Sequence, residues 1–81
     1  MKQDCWIITY RNYMGDDGSW AFFNKEDAVK SVNEDYKDVF DALKKDGHDP
    51  KRYRDDEFYK ELYVPNTDIY YEWRIEHSTI E

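Results

Sequence analysis

The stretch KEDAVKSVNEDYKDVFDALKK, residues 25–45, decides the fold of this chain. If each residue advances about 100° around a helix axis, the large apolar side chains fall within an arc of roughly 80°: Val29, Val32, Tyr36, Phe40 and Leu43. The pattern predicts an amphipathic helix over Lys25–Lys45 whose apolar stripe faces a core. Asn24 is the expected N-cap of this helix, and Gly47 suits its C-terminal cap.

The opposite side of the predicted helix carries a row of carboxylates, which we call the acidic ridge: Asp27, Glu34, Asp38 and Asp41. At 1.5 Å per residue the acidic ridge spans about 21 Å, a length comparable to several nucleotides of duplex. A rigid row of charges of this length can imitate a phosphate track. The competing interpretation is an ordinary solvated helix face, on which Lys30 and Lys37 neutralise part of the acidic ridge through i,i+4 pairs.

The segments on either side of the helix read as strands. Residues 5–13 and 19–24 are rich in β-branched and aromatic side chains, and the glycines and aspartates between them predict a β-hairpin. Residues 65–68, Pro-Asn-Thr-Asp, predict a turn. After that turn Ile69, Tyr71, Trp73 and Ile75 alternate with Tyr70, Glu72, Arg74 and Glu76, which predicts a strand with one buried side.

The sequence between the helix and the last strand is harder to interpret. Pro50 ends any preceding helix, and Asp55-Asp56-Glu57 predicts the start of a short second helix running to Leu62. The expected fold is a single α+β domain over residues 1–81, with the element order β-β-α-(α)-β. In it, one face of a three-stranded, mainly antiparallel sheet is covered by the long helix, and the first strand lies between the second and the last.

Composition limits the class of protein. The chain has 81 residues, with 19% aromatic residues and one cysteine, Cys5, so its core must be built from rings and without an intrachain disulfide. A single cysteine and the lack of a signal-peptide-like or membrane-spanning apolar run favour a cytoplasmic protein. The net charge of −7 disfavours direct binding to nucleic acid or anionic membrane, and favours encounter with a basic surface.

Two further groups are candidate partner-binding residues. The first is a second acidic patch: Asp55, Asp56, Glu57 and Glu61. The basic residues of segment 51–54 are expected to neutralise this patch in a solvated loop, and the alternative is that they contact an anion or the acidic face of a partner. The second is a set of tyrosines too numerous for a small core, which we expect partly on a sheet face or edge as contact residues: Tyr53, Tyr59 and Tyr70, with Tyr10, Tyr13 and Tyr63.

No residue pattern predicts catalysis, a cofactor or a metal. Cys5 and His77 are the one conceivable nucleophile and base, because the ends of neighbouring antiparallel strands can bring them together. The alternative interpretation is that Cys5 is a small buried thiol without a catalytic role. His48, between two aspartates, lacks the spacing of a metal motif, and turn chemistry explains that segment.

These observations favour a non-enzymatic protein that docks onto a basic, nucleic-acid-binding surface of another protein and inhibits or modulates it. In size, acidity and lack of a catalytic signature the chain looks like the small proteins with which phages and mobile elements block host enzymes, which would place it in the host cytoplasm. The resemblance is one of class and covers no motif. The alternatives are a homo-oligomeric structural or regulatory module, and a small-ligand or Cys-His enzyme domain.

Overall fold

The computed structural model describes residues 2–81, which form five β-strands and one α-helix. All strands pair antiparallel in a single sheet of spatial order β2-β1-β5-β4-β3. The helix α1 packs across one face of this sheet, so the molecule has two layers and the other face is open. The elements in chain order are β1 (Gln3–Asn12), β2 (Asp17–Phe22), α1 (Lys25–Lys45), β3 (Lys51–Asp56), β4 (Tyr59–Tyr63) and β5 (Tyr70–Ile80).

The predicted three-stranded sheet is wrong, because β3 and β4 add a second hairpin beyond β5. The molecule is still an α+β protein, but it is mostly sheet and contains a single helix within residues 2–81. The expected neighbours of the first strand are confirmed. Trp6 of β1 lies opposite Phe22 of β2 on one side and His77 of β5 on the other.

The segment predicted as a second helix forms this extra hairpin. In β4, Lys60 and Leu62 are buried beneath α1, whereas Tyr59, Glu61 and Tyr63 point to the open face, as strand alternation requires. The spacing of apolar residues in so short a stretch suits one helical turn as well as a strand. The strand forms because the outer edge of β5 presents unpaired backbone groups, and all five residues of β4 pair with it.

Both ends of α1 are capped as predicted. The Asn24 side chain accepts hydrogen bonds from the backbone N–H groups of Glu26, at 2.9 Å, and Asp27, at 3.4 Å. At the other end Gly47 has φ +89°, and its N–H donates to the Lys44 carbonyl while the N–H of His48 donates to that of Leu43. This is a Schellman motif, which requires a positive φ that glycine adopts at little cost.

Polar side chains shape the connections between strands. In the β1–β2 loop the side-chain oxygen Oδ1 of Asn12 accepts hydrogen bonds from the backbone N–H groups of Met14 and Asp16, and Gly15 takes φ +84°. The predicted turn after β4 is confirmed. There the Thr67 hydroxyl donates to the Val64 carbonyl at 2.8 Å.

The core lies between α1 and the sheet. Trp73 and Ile8, on adjacent strands, are fully buried, and Trp73 meets the Tyr36 ring of the helix edge-on at 5.7 Å. Aromatic burial of this kind gives a small domain most of its apolar contact. The residues of the cluster are Ile8, Ala28, Val32, Tyr36, Leu62, Trp73 and Ile75.

In the part of the chain that the structure describes, no helix is at once long enough and apolar enough to cross a membrane.

Candidate protein-binding surfaces

The acidic ridge points away from the sheet. Its four carboxylate residues are all exposed, while Ala28, Val32, Tyr36 and Leu43 of the same helix are buried. None of these carboxylates has a cationic nitrogen within 4.0 Å among residues 2–81, so the i,i+4 pairs weighed for Lys30 and Lys37 do not form. Neighbouring charge is dense enough to affect Asp35, whose pKa is raised by burial and by repulsion from Asp38 and Glu34.

The second acidic patch differs, because three of its four carboxylates already have cationic partners inside the molecule. Asp55 pairs with Lys60, Asp56 with Arg54 at 3.0 Å, and Glu57 with Lys25 of α1 at 2.9 Å. The expected neutralisation by the basic residues 51–54 is therefore confirmed for Arg54. Arg52 instead lies over the Phe40 ring at 4.3 Å.

Tyr10 packs against the core and the Tyr13 ring meets Tyr71 edge-on, so neither lies on the open face. The other four predicted contact tyrosines lie on the open face, away from α1. Tyr59 and Tyr70 are half-buried there, and Tyr53 is 69% exposed at the bulge in β3. Tyr63, on the same face, meets the Tyr53 ring edge-on at 6.2 Å. The acidic ridge and the open-face tyrosines therefore occupy opposite sides of the molecule, so one flat partner surface cannot contact both.

A polar network covers the middle of the open face. The Tyr70 hydroxyl donates to Glu72 at 2.6 Å, and Arg74 Nε donates to the same carboxylate at 2.7 Å. Tyr59 donates its hydroxyl to Glu61 and accepts a hydrogen bond from Arg74 at 3.2 Å. Glu61 and Glu72 are both buried, with 8% and 7% of their surface exposed.

The network shifts the acidity of its members. Burial is the largest influence on Glu72 and tends to raise its pKa, but the hydrogen bond from Tyr70 and the Arg74 guanidinium outweigh burial and hold the pKa below its usual value. Burial, followed by the hydrogen bond to Glu72, raises the pKa of Tyr70 well above that of a free tyrosine. At neutral pH the Tyr70 hydroxyl therefore keeps its proton and donates a hydrogen bond to the Glu72 carboxylate.

A groove of about 330 Å³ lies beside this network. Its lining residues are Tyr53, Glu61, Tyr63 and Tyr70. All four are among the predicted partner-binding residues, but no role was predicted for Glu72, which accepts the Tyr70 hydroxyl, or for Arg74, which pairs with Glu72. The signal was present in the alternation of residues 70, 72 and 74, since a strand face bearing Tyr, Glu and Arg can form such a network.

The structure does not bring Cys5 and His77 together. Cys5 lies opposite Ser78, whereas His77 lies opposite Trp6, so the two side chains point to opposite faces of the sheet. His77 stacks on the Trp6 ring at 4.7 Å and contacts Asp4 at 3.1 Å, while Cys5 is 2% exposed. Across residues 2–81, no three His, Cys, Asp or Glu side chains come together as a metal site.

The chain matches no protein-family model, no curated protein and no solved structure at a significant level.

Proposed function

We propose that this protein is a non-enzymatic inhibitor or modulator that docks its acidic ridge onto a basic, nucleic-acid-binding surface of a partner protein. The observation that carries the proposal is the contrast between the two acidic groups. Asp55, Asp56 and Glu57 are paired within the molecule, whereas all four carboxylates of the acidic ridge are exposed and without a cation among residues 2–81. Unpaired charges are the ones that can steer and pair with a partner.

The helix that carries the acidic ridge also makes it rigid. A helix of 21 residues, capped at both ends and packed on a sheet, holds the carboxylates at fixed spacing without a cost in chain ordering on binding. A duplex-binding surface presents cations over a length comparable to the roughly 21 Å of the acidic ridge. The compartment that fits this proposal is the cytoplasm of a host cell, where such enzymes act.

The test is a charge reversal with a matched control. The ridge variant carries Asp27→Lys, Glu34→Lys, Asp38→Lys and Asp41→Lys. The control variant reverses four other exposed carboxylates, so that net charge changes equally: Asp17, Asp46, Asp68 and Glu76. Each protein competes with a labelled DNA duplex for a panel of basic DNA-binding domains, at low and at high salt.

The wild-type protein and the control variant should displace duplex in a salt-dependent manner, and the ridge variant should lose at least about tenfold in competing strength. If both variants lose competing strength equally, net charge alone explains the displacement of the duplex. A ridge variant that competes as well as the wild type would refute the assignment.

Homo-oligomerisation through the edge of β2 is a second candidate function. Of the six residues of β3 at one sheet edge, five are charged, which discourages pairing with another strand. At the opposite edge, residues 18–23 carry no charge, and Phe23 is 65% exposed. Sedimentation at micromolar concentration of the wild type and of Ala21→Lys distinguishes the cases: a dimer lost in the variant supports β2 pairing, and a wild-type monomer excludes it.

A further inference from the structure

The groove on the open face has aromatic walls set at a steep angle to each other. The rings of Tyr53 and Tyr63 are 6.2 Å apart at 80°, and Tyr70 lines the same groove. Its volume of about 330 Å³ is at the small end of ligand sites, enough for a single side chain. The electron-rich faces of such rings attract cations.

The fourth lining residue is a buried carboxylate that lacks a counter-ion. Glu61 is 8% exposed and accepts the Tyr59 hydroxyl, yet no cationic nitrogen within residues 2–81 lies within 4.0 Å of it. The two nearby guanidinium groups are engaged elsewhere, Arg54 with Asp56 and Arg74 with Glu72. A buried carboxylate normally has a cationic partner, because desolvation of an unpaired charge is costly.

The same face already shows how it accommodates cations. Arg54 and Arg74 lie over the Tyr59 ring at 4.2 Å and 4.7 Å. Among the described residues, no Lys or Arg lies over the rings that line the groove. Arg54 and Arg74 each contact an aromatic ring and a carboxylate. The groove offers the same two kinds of group, but no Lys or Arg of residues 2–81 lies over its rings.

We propose that this groove is a recognition site for the ammonium head of a lysine side chain on a partner protein. The ammonium group would lie in the corner between the Tyr53 and Tyr63 rings and pair with Glu61. A guanidinium prefers to lie flat on one ring and to bond a carboxylate in a fork, whereas a corner of two steeply inclined rings suits a compact ammonium group. The groove therefore favours lysine over arginine.

This site goes beyond the proposed function and does not depend on it. The acidic ridge faces away from the sheet on the helix layer, and the groove lies on the opposite side. A flat partner surface cannot reach both, so each site is tested separately. With both sites in use, one molecule would join two basic surfaces or two parts of one partner that wraps around it.

The experiment titrates the full chain with Nα-acetyl-lysine amide, with its neutral analogue Nα-acetyl-norleucine amide and with Nα-acetyl-arginine amide. Aromatic NMR signals of Tyr53, Tyr63 and Tyr70 report binding. The lysine probe should shift these signals with a dissociation constant on the order of millimolar, and the norleucine probe should not. The ridge variant and its charge-matched control variant should bind the lysine probe equally, so failure of either site is recognised independently.

Two variants test the assigned residues. Glu61→Gln keeps an acceptor for the Tyr59 hydroxyl and should weaken lysine-probe binding about tenfold. Tyr53→Leu, at a position that is 69% exposed, should weaken binding about threefold or more. Phe23→Leu, a matched loss of an exposed ring at the far sheet edge, should change nothing.

Three results would overturn the proposal: equal binding of the norleucine probe, tighter binding of the arginine probe, or no shift of the tyrosine signals at about 100 mM lysine probe. Unchanged binding by Glu61→Gln would remove the carboxylate from the site. If Glu61→Gln does not fold, unchanged binding of the lysine probe by Tyr53→Leu would overturn the proposal instead.

Discussion

Glu61 of β4 and Glu72 of β5 lie directly opposite each other in the sheet, and both are buried. Like charges at such positions repel, so each carboxylate needs compensation. Both accept a tyrosine hydroxyl, but Glu72 alone also has a guanidinium partner, Arg74. The pair is therefore asymmetric, and the side without a cation is the one that lines the groove.

Glu72 should make the protein sensitive to acid. Its pKa is lower in the folded protein than its ordinary value of 4.5, because Tyr70 and Arg74 outweigh the opposing effect of burial. The resulting stabilisation is present above that ordinary value and is lost as pH falls through the folded pKa. We expect the free energy of unfolding, measured with urea from about pH 7 to about pH 3, to fall less steeply in Glu72→Gln than in the wild type.

Glu76→Gln provides the control for this prediction, because Glu76 lies on the same strand but is exposed. Its pH profile should run parallel to that of the wild type. Parallel profiles for Glu72→Gln as well would show that the Tyr70 and Arg74 contacts do not stabilise the carboxylate.

The N-cap of α1 should contribute measurably to stability. Asn24→Ala removes the acceptor for the N–H groups of Glu26 and Asp27 and should cost about 1 kcal/mol. Asn33→Ala is the matched change in the helix interior, where alanine is the better helix former, so stability should stay equal or rise. Thermal or urea unfolding followed by circular dichroism measures both, and equal effects at the two positions would contradict the cap assignment.

The second hairpin should contribute to the core through one residue above all. Leu62 is fully buried against α1, so Leu62→Ala should destabilise the protein by about 2 to 5 kcal/mol. Tyr53→Ala, on the neighbouring strand but 69% exposed, should change stability by no more than about 0.5 kcal/mol. Urea unfolding compares the two variants. A small effect of Leu62→Ala would mean that β4 does not pack beneath the helix.

Cys5 should behave as an inert thiol. It is 2% exposed and faces the side of the sheet opposite to His77, so an aromatic disulfide reagent should modify it only as fast as the protein unfolds. His77→Ala should not slow this modification under conditions of equal stability. Rapid modification of the folded wild type, slowed by His77→Ala, would restore the Cys-His pair.

Much of the candidate site was predictable residue by residue but not as a surface. The helical period identified the outward carboxylates from Asp27 to Asp41, since the facing of a helix residue depends only on local geometry. The abundance of tyrosine pointed to Tyr53, Tyr59 and Tyr70 as surface residues. Which residues share a surface depends on strand register, and the register placed the tyrosines on the sheet face that α1 does not cover.

The sequence by itself determined α1, both of its caps, the first hairpin, the turn after Val64 and the alternating last strand. Each depends on periodicity or on hydrogen bonds between residues close in the chain. Only the tertiary structure decided the state of residues 51–63, because a short segment with mixed periodicity adopts the structure that satisfies the nearest unpaired backbone, here the edge of β5. The same long-range pairing put Glu61 opposite Glu72 and so created the groove.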